Sequence, residues 1–160
     1  MKHLCWCMII CILVLSGCSS QDSMEKPLQF YYQASELSYQ FDSSAILSIT
    51  VDAAQMGTDE DILKTYLKQP STEQFRSPFP AGLSLLNYQV EGNTVYLNLS
   101  YHLATLTNMD LTIACSCIAM TCLELTGAEL VSIEADGQLL DGQKSILLHK
   151  NTTLLTDSSK

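Results

Sequence analysis

From Leu111 to Leu125 the chain carries one charge, Glu124. Leu111, Cys115, Ile118, Cys122 and Leu125 recur at spacings of 4, 3, 4 and 3, and Ile113, Cys117, Met120 and Leu123 occupy much of the opposite side. The pattern predicts a helix from Met109 to about Thr126, with Asn108 as its cap and Gly127 as its left-handed stop. Fifteen residues with several Ser and Thr do not make a membrane span. A helix with so little polar face needs cover on nearly every side. Either it is a central helix packed on a sheet and covered by another segment, or it offers a contact face to a second copy or a partner.

The sheet is written around it. Leu28 to Tyr32 is aromatic-rich and extended, and Ala45 to Val51 alternates Leu47, Ile49 and Val51 with Ser48 and Thr50. Gly57-Thr58-Asp59-Glu60-Asp61 starts a helix: Thr58 can cap, Asp61 completes a box, and the acids favour the first turn. Ile62, Leu63, Tyr66 and Leu67 form its apolar face, and Pro70 stops it. Ser71 to Gly82 reads as a long loop. A hairpin follows. Leu86, Tyr88 and Val90 share one face, Gly92-Asn93 suits a type II′ turn, and Val95, Leu97 and Leu99 point inward. After the long helix, Leu130 to Ala135 is a strand, Asp136-Gly137 suits a type I′ turn into Leu139-Leu140, and Ser145 to Leu148 makes a last short strand. The order predicts an α+β single domain, a mainly antiparallel β-sheet with two α-helices packed on one side.

The N-terminus says where this domain works. An uncharged apolar run, Leu4 to Leu15, reaches roughly 18 Å as a helix, short of a ~30 Å hydrocarbon core but suited to a signal peptide. Leu15-Ser16-Gly17-Cys18 follows it and resembles the lipobox of bacterial lipoproteins. That resemblance implies cleavage between Gly17 and Cys18 and a diacylglyceryl group on the Cys18 sulfur, with no other cofactor. The expected organisation is 1–17 signal peptide, 18–27 lipid-anchored tether, 28–150 folded domain and 151–160 disordered tail. The expected location is the extracytoplasmic face of the cell membrane.

Removing residues 1–17 leaves seven basic and 17 acidic side chains, a net charge of −10. Nucleic-acid phosphates and anionic lipid heads repel such a surface, so nucleic-acid binding is excluded and the membrane link falls to the lipid. Cys115, Cys117 and Cys122 are the domain's cysteines. On one helix they lie too far apart or on opposed faces for a bridge, and no histidine is near enough to complete a zinc site. They read as small buried apolar groups, with an intermolecular disulfide, a metal and redox chemistry as the lesser alternatives.

No catalytic set emerges. Ser100 and His102 are neighbours at a strand end without a nucleophile elbow, and Asp59, Glu60 and Asp61 are explained by the helix start. No phosphate loop, dinucleotide fingerprint or calcium loop is present. The sequence predicts a non-enzyme.

Several stretches together resemble the GerMN domain of sporulation and spore-germination proteins. Phe30-Tyr31-Tyr32 opens the match. Ile62 to Pro70 is similar to the family's helix and its Leu-Leu-x-Gly-Pro-like stop, with Gln69 where a Gly is common. Ser77-Pro78-Phe79-Pro80-Ala81-Gly82 resembles its Ser-x-x-Pro-x-Gly loop, the most distinctive piece. Val95 to Ser100 resembles its Val-x-Val-Asp-Leu-Ser strand end, with Asn98 for the Asp, and Val131 to Gly137 its last strand. The resemblance runs from about Leu28 to Leu140. It implies a membrane-anchored α+β module in spore-forming or related monoderm bacteria, similar to the ring-building modules of sporulation complexes and acting through protein contacts. It carries over no catalytic residue. The expected partner is an extracytoplasmic protein or a second copy. Expected contact regions are the sheet edge at Phe30, Tyr31 and Tyr32, the loop with Ser77, Pro78, Phe79, Pro80 and Gly82, and any exposed side of the 109–126 helix. The alternative is a module binding a small molecule or a cell-wall component.

Overall fold

The computed structural model describes residues 27–36 and 45–151. In chain order they form β1 (Leu28–Ala34), β2 (Ile46–Val51), α1 (Asp59–Leu67), β3 (Phe75–Arg76), β4 (Leu85–Glu91), β5 (Thr94–Leu99), a 3-10 turn (Tyr101–Thr105), α2 (Asn108–Thr126), β6 (Leu130–Ala135) and β7 (Ile146–His149). The strands make two sheets, β2-β1-β3 and β4-β5-β6-β7. Antiparallel pairing prevails, and β5 with β6 is the parallel pair. Two parallel neighbours need a long crossover, and α2 supplies it. Among the described residues, the expected α+β class with two helices is the fold observed.

The α2 helix sits between the sheets, packing along β1 on one side and meeting β5, β6 and β7 on the other. Ten consecutive residues, Ala114 to Leu123, are buried. The helix is therefore the covered central element of the domain. Its 19 residues and mean hydropathy of 1.4 would also suit a membrane span, but here the apolar surface is taken up by protein. The four-stranded sheet turns one face to α2. In register across it run Val95, Val131 and Leu148, then Leu97, Ile133 and Ile146, and then Leu99 and Ala135.

Two hydrogen bonds tie the middle of β1 to the helices. Ala34 donates its N–H to the carbonyl of Ala45 in the turn before β2, so by alternation the Tyr31 backbone faces away from β2. β3 pairs only with Gln33 and Ala34. The Tyr31 N–H instead donates to Thr121 Oγ1 of α2 at 3.1 Å, and its carbonyl accepts from the Tyr66 hydroxyl of α1 at 2.7 Å. Two side chains thus finish the open edge of β1.

The start of α1 follows the sequence. Thr58 caps it, the Asp61 N–H donates to Thr58 Oγ1 at 3.3 Å, and Asp61 Oδ2 accepts from the Thr58 N–H at 3.1 Å. These bonds from Thr58 hold the Asp61 carboxyl below its ordinary pKa. Lys64 pairs with Glu60 one turn back at 2.7 Å.

Local details differ from expectation. α2 begins at Asn108 itself, at φ +53, with Thr107 in the cap position and no side-chain capping bond. Leu139 and Leu140 do not form the return strand. Asp136 and Gly137 have the positive φ values of the expected turn, but only Ala135 and Gln138 bridge across it. Leu140 is pulled into the core at 1 % exposure, and Ile146–His149 returns to pair with β6. A bulge between Leu85 and Asn87 buries Leu85 and leaves Leu86 exposed; Val90 is exposed as well, so of the face shared by Leu86, Tyr88 and Val90 only Tyr88 is partly buried. β3 lies inside what the sequence gives as loop, and two residues are too few for an alternation signal.

Candidate interaction surface

Phe30, Tyr32, Tyr66, Phe75 and Phe79 form one aromatic cluster. Tyr32 stacks on Phe75 with centroids 4.4 Å apart, and Tyr66 lies 5.0 Å from Phe30 and 5.1 Å from Phe79. The first expected contact region is thereby corrected. Phe30 and Tyr32 are 3 % and 0 % exposed, because their side chains point into this cluster, and the β1 backbone beyond the short β3 pairing is taken up by Thr121 and Tyr66. Tyr31 between them is half-buried, its backbone engaged by Thr121 and Tyr66. Burial raises the pKa of both the Tyr32 and the Tyr66 hydroxyls.

The second expected region stands at the surface on this cluster. Ser77, Pro78, Phe79 and Pro80 are half-buried, and Ala81 and Gly82 are exposed. Phe79 anchors the loop from below, against Tyr66 and, at 6.2 Å, Tyr32. At one end the Ser77 N–H donates to Ser71 Oγ at 2.9 Å. At the other, the Leu83 N–H closes a turn onto the Pro80 carbonyl at 3.1 Å. Gly82, at the third position of that turn, has φ +88, which favours glycine. The two sequence-expected regions therefore meet through Phe79, one as floor and the other as surface.

Ser100 and His102 act on the same loop. Ser100 Oγ accepts from the Ser84 N–H at 3.1 Å and lies 3.4 Å from the Gly82 carbonyl and 3.2 Å from His102 Nδ1. His102 stacks on Tyr101 with centroids 4.1 Å apart. The pair that superficially suggests catalysis is a clamp on the loop's end. A Cβ on Gly82 would lie 2.8 Å from His102 Nε2, so any side chain there must displace the ring and strain the backbone as well. Gly82→Ala is expected to cost about 1–3 kcal/mol. Gly92→Ala, where an added Cβ meets nothing within 4 Å, is expected to cost less. Urea unfolding of the two variants checks the order, and equal losses would remove His102 from the explanation. Beyond a Ser at a strand end two residues before a His, no signal in the residues marks this clamp.

Cys115, Cys117 and Cys122 are free and buried along α2. Burial pushes the Cys115 thiol up to about 12 and the other two higher still, so all three are protonated and unreactive near neutrality. Among the described residues, no group of three or more His, Cys, Asp or Glu is placed to hold a metal. Gly17 and Cys18 lie outside the described residues.

A separate cleft of about 670 Å³ opens where β1 begins, between the end of β2, the start of α1 and the end of α2. Leu28, Val51, Ile62 and Leu125 give it apolar walls. Asp52, Asp59 and Glu124 stand on its rim. The Tyr88 hydroxyl donates to Asp59 Oδ2 at 3.1 Å, and partial burial, then that carboxylate, raises the Tyr88 pKa.

The family described as Germane, sporulation and spore germination, matches residues 30–141. The chain belongs to this family. Its fold is similar to the first GerMN domain of the sporulation protein GerM from Bacillus subtilis, with a TM-score of 0.57 and 14 % identity, covering 79 % of this chain and 98 % of that one. It is also similar to the tandem GerMN domains of the same protein, with a TM-score of 0.51 and 18 % identity, covering 74 % of this chain and 43 % of that one. No curated protein matches the sequence. The loop that resembles the GerMN pattern, Ser77 to Gly82, is here a surface feature held at both ends.

Proposed function

We propose that this chain is a lipid-anchored GerMN protein that works outside the cytoplasm by docking onto another envelope protein or a second copy of itself, in sporulation or germination. The carrying observation is membership of the Germane family over residues 30–141, in a chain that also holds Leu15-Ser16-Gly17-Cys18. In this reading residues 1–17 are removed, Cys18 carries the diacylglyceryl group, residues 18–27 tether the domain, 28–150 make up the GerMN module and 151–160 a tail. Two or more acyl chains suffice for a stable anchor, since each buried CH₂ contributes about 0.8 kcal/mol. The clamped loop at Ser77, Pro78, Phe79, Pro80 and Gly82 supports a contact role, because a surface already ordered loses little entropy on docking.

The test is labelling with an alkynyl palmitate analogue and fractionation of cells carrying wild type or Cys18→Ala. Label and membrane association are expected for wild type and lost in the variant. Equal membrane association without label would overturn the anchor. Retention of wall fragments in place of any protein partner would favour the ligand-binding alternative.

A further inference from the structure

β7 is an edge of the four-stranded sheet. The Lys150 N–H donates to the Glu129 carbonyl at 3.0 Å just past the β6 pairing, so by alternation the Leu147 N–H and carbonyl point away from β6. Among the described residues no strand pairs with that side. An open edge is a template for pairing with another chain, and Leu147 on this one is 62 % exposed. The inward row is unfinished there too. Ile146 and Leu148 are half-buried, and a groove of about 300 Å³ lies between them and Leu111 and Cys115 of α2, with Leu140 in its wall.

The chain itself supplies a strand to fit. It turns at Lys150 and Asn151, where the Asn151 N–H donates to His149 Nδ1 at 3.1 Å. It continues as Thr152-Thr153-Leu154-Leu155-Thr156-Asp157, and β-branched threonine favours extended backbone. A return along β7 through a two-residue loop sets Leu154 opposite Leu147, and a three-residue loop sets Leu155 there. The two leucines are neighbours. Either register therefore places one beside Leu147 and the other on the row of Ile146 and Leu148, over the groove. Asp157 then falls opposite Lys144 or Ser145, where its carboxylate attracts the Lys144 ammonium. Covalent continuity gives this segment an effective concentration that a separate chain would have to match.

We propose that residues 152–157 add a strand to the four-stranded sheet, pairing antiparallel with β7 through Leu147 and closing the groove with one leucine. The edge that would otherwise recruit a strand from another protein is taken by the chain itself. This goes beyond the protein-contact reading and stands without it. It removes β7 from the surfaces open to a partner and leaves the clamped loop at Ser77 to Gly82.

Hydrogen exchange of the full chain tests the pairing, read by mass spectrometry on a peptide spanning Ser145 to His149. Leu154→Asp with Leu155→Asp should speed exchange of one amide there about tenfold, the scale of a lost hydrogen bond, while the amides of α2 keep their rates. Leu154→Val with Leu155→Val, which keeps apolar strand formers, should match wild type. A second measurement uses wild type alone. Carbodiimide coupling of an equal mixture of isotope-labelled and unlabelled full chain should join Lys144 to Asp157 within single chains. Equal exchange in wild type and the Asp variant, a loss shared by all of α2, or no link between Lys144 and Asp157 would each overturn the proposal. Links between labelled and unlabelled chains would overturn it in favour of a segment exchanged between two copies.

Discussion

Between about pH 9 and about pH 12 the domain is expected to lose stability steeply and unfold. In the unfolded chain a cysteine ionises near its ordinary pKa of 9.0; in the fold, burial keeps Cys115 protonated to about 12 and Cys117 and Cys122 beyond that. The raised pKa fixes the sign. Below about pH 9 folded and unfolded thiols bind the same protons, and above it the unfolded chain has released protons that the fold retains. Each thiol then removes about 1.4 kcal/mol per pH unit, and the three together about 4 kcal/mol per unit. Tyr32 and Tyr66, also raised by burial, add to the loss above their ordinary value of 10.0. Against a total stability of about 5–15 kcal/mol, one to three pH units suffice. Urea unfolding of the reduced protein across this range measures the slope. Replacing Cys115, Cys117 and Cys122 by Ala should flatten it, whatever the triple variant loses at neutral pH. An unchanged slope in that variant would mean the thiols are not the cause.

Tyr66→Ala is expected to lower stability by about 3–5 kcal/mol, or the melting temperature by roughly 10–20 °C. Tyr66 is fully buried among Phe30, Tyr32 and Phe79, and it joins three elements. Its ring fills the space between α1 and β1, its hydroxyl finishes the Tyr31 carbonyl, and its own carbonyl accepts from the Tyr32 hydroxyl at 3.2 Å. Tyr66→Phe separates these roles. It keeps the ring and leaves the Tyr31 carbonyl without that donor, for an expected loss of about 1–2 kcal/mol. Calorimetry of both variants checks the ratio, and similar losses would show that the hydroxyl, not the packing, holds the cluster.

The helices were legible because their signals are local. Thr58 with Asp61 and the 62, 63, 66, 67 face mark α1, and the uninterrupted apolar run marks α2. The burial of α2 was legible only as a pair of alternatives, since the run says that cover is needed and not what provides it. The strand partners were less readable. Phe30-Tyr31-Tyr32 reads as an edge because β3 is too short to notice and because Thr121 and Tyr66, far away in sequence, finish the remaining backbone. Leu139-Leu140 looks like the return of a hairpin because its turn is correct, yet the buried site for Leu140 outweighs continuing the ladder. For the surface, the GerMN loop could be named from its residues, but the Ser100–His102 clamp and the acidic cleft exist only once distant segments meet.

The bond from Tyr31 to Thr121 spans 90 residues. A chain threaded across a membrane N-terminus first delivers β1 long before the helix that covers it. Until α2 has emerged, the aromatic face of β1 has only α1, β3 and the loop at Phe79 to cover it, and such incompletely buried apolar surface invites aggregation. Folding of this domain is therefore a late event, completed only when most of the chain has emerged. In the proposed lipid-anchored form, the tether at the N-terminal end would hold each waiting chain at the membrane until its own helix arrives.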